Sequence, residues 1–176
     1  MAADDAFDKW NSVINNLPDY EIQERFLRQY YNAFKYDRDL VKVGSFTKAT
    51  KSNLIKIYET IIDKRPEYIF NELIEKSLLY SNLINPDNTE DDIFGELKNE
   101  LKDLTNVKAA PSYTLLLYLF SKENGLDLSS CRNVVKYLVK YFIRRNITDF
   151  PNTRNLDQIF MDLIEEIENN NTLTQE

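Results

Sequence analysis

Three observations predict an all-α protein. The 176 residues include only three glycines and five prolines, too few for strands joined by tight turns. The apolar residues recur at helical rather than alternating spacing. Hydrophobic residues make up 43% of the chain, with 10 phenylalanines and 11 tyrosines, enough to fill a core at this length. The pattern reads as one domain of roughly eight helices over 1–168, followed by a polar tail over 169–176 expected to be disordered.

The first helix is expected from Asp4 to Asn16, with Phe7, Trp10, Ile14 and Leu17 as its apolar stripe and Pro18 as its stop. The second covers Glu21 to Tyr36, with Phe26, Tyr30 and Phe34 on one face. A loop from Asp37 to Ala49, containing Gly44, Ser45 and Thr47, follows. The third helix begins at Asn53-Leu54 and turns Leu54, Ile57, Tyr58 and Ile61 inward. Pro66 suits the first turn of the fourth, where its missing N–H would be unpaired in any case. Phe70, Leu73, Ile74 and Ser77 continue that face until Asn85-Pro86 ends it.

Thr89 is the expected N-cap of a fifth helix, and Glu90, Asp91 and Asp92 then lie where negative charge favours the helix dipole. Its stripe is Ile93, Phe94, Leu97, Leu101 and Leu104. Pro111 opens the sixth. Its run Tyr113-Thr114-Leu115-Leu116-Leu117-Tyr118-Leu119-Phe120 is apolar all round, the signature of a helix buried on every side. Gly125 is its expected C-cap. Ser129 or Ser130 caps the seventh helix, which reaches about Asn146 with Val135, Leu138, Val139 and Phe142 on its apolar face. After the Pro151 turn the eighth carries Leu156, Ile159, Phe160, Leu163 and Ile167.

Composition excludes several chemistries. The chain has no histidine, so it alone builds no zincin, zinc finger, Ser-His-Asp hydrolase or ββα-metal nuclease. The glycine-rich phosphate-binding fingerprints are missing. Acids gather at Glu90-Asp91-Asp92, at Glu96 with Glu100, and at Glu165-Glu166 with Glu168. A di-iron bundle would pair such acids with histidine, so these read as solvated faces and helix starts, and no cofactor or metal is expected. Cys131 is the single cysteine; it reads as a small buried residue without the histidine that would activate it. One cysteine, no apolar run long enough to span a membrane and an acidic N-terminus together predict a cytoplasmic protein without membrane contact.

One feature opposes the net charge of −7. Arg132, Lys136, Lys140 and Arg144 are spaced four apart, and each step drifts only about 40° around a helix. Arg145 and Arg154 extend the charge, and no Asp or Glu interrupts from Ser129 to Thr148. Such a stripe either pairs with acids of neighbouring helices, such as Glu96 or Glu165, or docks phosphates or an acidic partner. Tyr137 and Tyr141 are interleaved with it; packing is their expected role, base stacking the alternative.

Several short stretches occur in a characteristic order: Lys9-Trp10-Asn11; Arg25-Phe26-Leu27-Arg28-Gln29-Tyr30-Tyr31; Asn53-Leu54-Ile55-Lys56-Ile57-Tyr58-Glu59; Glu72-Leu73-Ile74-Glu75-Lys76-Ser77-Leu78-Leu79-Tyr80; Pro111-Ser112-Tyr113-Thr114-Leu115-Leu116-Leu117-Tyr118; Tyr141-Phe142-Ile143-Arg144-Arg145-Asn146-Ile147; and Pro151-Asn152-Thr153-Arg154-Asn155-Leu156. This order, from about Lys9 to Leu163, resembles the helical middle region of GmrSD-like restriction endonucleases. In that family a ParB-like N-terminal domain hydrolyses nucleotide and a C-terminal HNH domain cuts modified DNA. The chain has neither the Asp-Gly-Gln-Gln-Arg type motif of the first nor any histidine for the second. The resemblance therefore implies a non-catalytic helical domain of a bacterial anti-phage restriction protein. Its partners would be the neighbouring nucleotide-binding and nuclease domains, with DNA as a further contact. The alternative is a stand-alone protein–protein interaction module.

Overall fold

The computed structural model describes residues 3–36, 47–88, 93–121 and 126–170. Among these the protein is all-α, with nine helices, two short 3₁₀ turns and no strand. The chain divides into two compact units, Met1–Ser81 and Asn82–Glu176.

The first unit holds α1 (Ala3–Asn16), α2 (Tyr20–Phe34), α3 (Leu54–Lys64) and most of α4 (Pro66–Ile84). Asp19 caps α2 by accepting from the Ile22 amide at 3.0 Å, which satisfies one of the free donors of the first turn. Every residue expected to point inward from α3 does so: Leu54, Ile57, Tyr58 and Ile61 are buried. Phe26, Tyr30, Ile69, Leu73 and Tyr80 are buried as well, with the Phe26 ring 5.4 Å from that of Tyr80.

Several polar groups inside this core have partners, which offsets the cost of burying them. The Tyr80 hydroxyl donates to Gln29 Oε1 at 2.6 Å, tying α4 to α2. The Tyr58 hydroxyl donates to the Leu27 carbonyl at 2.8 Å, tying α3 to α2. Asn32 receives the Ala49 amide on Oδ1 at 2.7 Å and donates Nδ2 to the Ala49 carbonyl at 3.4 Å. The chain entering α3 is thus stitched to α2. Asn16 Nδ2 reaches Ser77 Oγ at 2.8 Å and the Ile74 carbonyl at 3.3 Å, so α1 is tied to α4.

In α1 the expected stripe is rotated. Val13 and Leu17 are fully buried, Trp10 and Ile14 are half-buried, and Phe7 is 64% exposed. Val13 competes with Ile14 for the inward position, and choosing Val13 turns Phe7 outward.

The second unit contains a 3₁₀ turn at Pro86–Asn88, α5 (Ile93–Glu96), α6 (Lys98–Asn106), a 3₁₀ turn at Ala110–Ser112, α7 (Tyr113–Ser121), α8 (Leu128–Thr148) and α9 (Thr153–Asn170). The expected fifth helix is two pieces, broken at Leu97, which has φ −101° and ψ 6°. Gly95 sits in the first piece, and glycine weakens a helix by about 1 kcal/mol. The side chains of Leu97, Leu101 and Leu104 are nonetheless fully buried, as the stripe requires. The expected caps Thr89 and Gly125 lie outside the described residues.

Helix α7 is buried from Tyr113 through Leu119, the all-round burial its sequence predicts. It packs beside α9, and α6 packs beside α8. The Tyr118 hydroxyl donates to Glu168 at 2.6 Å across the α7–α9 contact. The cap of α8 is Asp127, whose carboxylate accepts from the Ser130 amide at 2.7 Å, rather than Ser129 or Ser130. Cys131, Val135, Leu138 and Phe142 form the buried line of α8, with Val139 half-buried beside it. In α9 the buried residues are Leu156, Phe160, Met161 and Ile164. Ile159 and Leu163, expected inward, are each 40% exposed, because the inward face is rotated toward Met161. Helix α9 runs through Asn170, two residues into the expected tail, and 171–176 lie outside the described residues.

Two stability outcomes follow from these cores. Phe142→Ala removes a ring that lies 6.3 Å from Phe160 and is 1% exposed; it should lower unfolding free energy by about 3–5 kcal/mol in urea titration. Burial, and secondarily the nearby Tyr31, holds the Tyr58 hydroxyl well above its ordinary 10.0. The folded state therefore keeps a proton that the unfolded chain releases first. This contribution is complete below about pH 10 and is lost as pH rises further. Urea midpoints should fall above about pH 10, and Tyr58→Phe should lessen the fall.

Candidate functional site

The basic stripe lies on α8, and the helix phase sorts its members. At about 100° per residue, Asn133, Tyr137, Lys140, Arg144 and Ile147 fall within an arc of about 80°. This arc is opposite the buried line of Cys131, Val135, Leu138 and Phe142. All five of its residues are exposed. Arg132 and Lys136 lie on one flank of the arc, and Arg145 lies on the other.

The two flanks are internally committed. Arg132 Nε pairs with Glu100 at 3.1 Å, and its Nη2 reaches the Glu96 carboxylate at 3.7 Å. The same Nη2 donates to the Glu96 carbonyl at 2.9 Å. That carbonyl ends α5, where the helical ladder is broken, so the guanidinium supplies the donor the break removes. Lys136 Nζ lies 3.6 Å from Glu100. These contacts assign two of the six stripe cations to pairing with neighbouring acids.

Arg145 organises the connection between α8 and α9. Its Nε donates to the Pro151 carbonyl at 3.1 Å, and its Nη2 donates to Thr153 Oγ1 at 2.8 Å and pairs with Asp149 at 3.2 Å. Asp149 ends α8 with φ 51°, a left-handed position that Asp tolerates better than most residues. The Thr148 hydroxyl adds a contact to the Phe150 amide at 3.4 Å. The turn is therefore held from several directions, and it presents Phe150 at 78% exposure.

Lys140, Arg144 and Arg154 are exposed and, among the described residues, make no ion pair. Beside the first two stand Tyr137 at 68% exposure and Ile147 at 80%. Tyr137, expected to pack, therefore points to solvent. Tyr141 is half-buried, with its ring edge-on to Phe142 at 5.3 Å. Ile143, at 45% exposure, borders the arc on the Lys136 flank.

The exposure of Ile143, Ile147 and Phe150 is not among the sequence expectations, although a signal for it is present. Isoleucines at 143 and 147 fall out of phase with the buried line through 131, 135, 138 and 142. Large apolar residues out of phase with the buried line of an amphipathic helix are placed on its exposed side.

The acidic clusters divide as well. Glu96 and Glu100 are used by Arg132 and Lys136, Glu168 takes the Tyr118 hydroxyl, and Glu90-Asp91-Asp92 lie outside the described residues. Among the described residues no three acidic or cysteine side chains gather to hold a metal ion. No helix of the described residues is long and apolar enough to cross a membrane. Cys131 is 1% exposed, with Sγ 3.4 Å from the Leu126 carbonyl. Burial first, and the Asp127 charge second, raise its thiol above the ordinary 9.0, the reverse of activation.

A scan against protein-family models and searches of curated proteins and of solved structures return no match.

Two measurements check this geometry. Native protein should react with a thiol reagent roughly a hundredfold more slowly than urea-unfolded protein, as expected of a buried, unactivated cysteine. Arg145→Ala should cost about 1–3 kcal/mol by freeing the α8–α9 turn. Arg144→Ala, one residue earlier, should stay within about 0.5 kcal/mol of wild type.

Proposed function

We propose that this chain is a non-catalytic helical docking domain that holds other protein domains in working relation. The observation that carries this reading is the exposed apolar group of Tyr137, Ile143, Ile147 and Phe150 on α8 and its C-terminal turn. Single exposed apolar residues are ordinary on a protein surface, but a group along one element marks a contact region. The turn that bears Phe150 is fixed by Arg145, which lowers the entropy lost when a partner docks.

The narrower form of the proposal rests on the order of sequence motifs that resembles GmrSD-like restriction proteins. In it the chain is the helical domain of a bacterial anti-phage restriction protein, and it couples a nucleotide-binding domain to a nuclease domain. The lack of histidine and of phosphate-cradling glycine loops supports assigning catalysis to those neighbours. Contact with DNA is a minor part of the proposal. Three of the six stripe cations are committed to internal partners, so duplex binding would be weak and non-specific.

The purified chain should hydrolyse neither nucleoside triphosphates nor modified DNA, and turnover of either above the buffer blank refutes the non-catalytic assignment. In a protein carrying all three domains, Ile147→Ser with Phe150→Ser should abolish DNA cleavage while nucleotide hydrolysis persists. Equal cleavage by that variant refutes coupling through α8. Flanking coding sequence without a ParB-like or HNH segment removes the restriction context and leaves the docking role.

A further inference from the structure

We infer that the outward face of α8 and the turn after it receive an acidic amphipathic helix from a protein partner. The inference rests on the docking role proposed above and specifies the chemistry of the occupant. The apolar positions Tyr137, Ile147 and Phe150 run along the exposed side of the last three turns of α8 and into the Arg145-bound turn. From Tyr137 to Ile147 the rise is about 15 Å, the span covered by an amphipathic helix whose anchors recur every three or four residues.

The charges on this face specify the sign of the partner. Lys140 and Arg144 lie between Tyr137 and Ile147 on the same arc, exposed and without ion pairs among the described residues. Arg154 follows in the first turn of α9, also exposed. Helix α8 contains no acidic residue of its own. The acids of α5 and α6 that face α8, Glu96 and Glu100, are held by Arg132 and Lys136 on the flank. Asp149 in the turn is held by Arg145. The face is therefore apolar positions interleaved with unneutralised cations, on a chain whose net charge is −7. A partner with carboxylates beside its apolar stripe satisfies both features.

A protein helix fits this face better than DNA. Phosphate has no use for Ile147 and Phe150, and two cations on one arc give little counterion release.

The test uses the full 176-residue chain and three labelled probes read by fluorescence anisotropy. The first is a synthetic helix of about five turns with a leucine stripe flanked by glutamates. The second carries the same stripe flanked by lysines, and the third is a short duplex DNA. The glutamate-flanked helix should bind, and the lysine-flanked helix and the DNA should not at physiological ionic strength. Ile147→Ser with Phe150→Ser should weaken binding roughly tenfold or more. Lys140→Glu with Arg144→Glu should exchange the preference, losing the first helix and gaining the second. Because all four side chains are exposed, circular dichroism and urea midpoints of both variants should match wild type.

No binding of the glutamate-flanked helix up to about 1 mM overturns the inference, as does equal binding of both helices. Duplex binding that Lys140→Glu with Arg144→Glu removes overturns it in favour of a nucleic-acid face. Any of these results leaves the docking role intact if DNA cleavage in the three-domain protein still depends on Ile147 and Phe150. Loss of that dependence refutes the docking role separately.

Discussion

The second unit depends on one constraint: α8 must bury a narrow line of side chains against its neighbours while its opposite side stays in water. Cys131, Val135, Leu138 and Phe142 provide that line, and α6 packs beside it. Val135, Leu138 and Phe142 each contribute on the order of 1.5–3 kcal/mol when removed from water. With the line fixed, the rotation of α8 is fixed, and every other position on it takes its role from its angle to that line. Arg132 and Lys136 come to the flank where Glu100 stands, Arg145 comes to the flank beside the Pro151 turn, and Lys140 and Arg144 are left outward.

This explains why a spacing of four produced a stripe whose members do different things. A drift of about 40° per step carries the row across about a third of the circumference between Arg132 and Arg144. One end of the row is therefore structural, and the other end is free to meet a partner. The interaction between Arg132 and the Glu96 carbonyl shows how closely the structural end is used. Without that guanidinium, the break between α5 and α6 would leave an acceptor to be satisfied by water alone.

Much of this architecture was legible in the residues. The all-α class, the inward set of α3, the buried run of α7 and the closing role of Pro86 all follow from spacing and composition. What failed were choices between adjacent stripes. In α1, Val13 and Ile14 are neighbours of similar size, and in α9 Met161 and Ile164 compete with Ile159 and Leu163. Periodicity shows that a helix has an apolar side, but a rotation of about 60° is decided by the shape of the neighbouring surface. The division of the cations was hidden for the same reason, since it depends on where Glu96 and Glu100 stand relative to α8. The break at Leu97 carried a local sign in Gly95, but the unbroken leucine stripe masked it.

The bonds made by Arg145 also have a mechanical meaning. They tie the segment from Asp149 to Thr153 to the last turns of α8. The helix is 21 residues long, about 30 Å from end to end. Its far end is anchored on the ladder break at Glu96. The turn that bears Phe150 and the ladder break at Glu96 are thus each tied by an arginine to one end of the same helix.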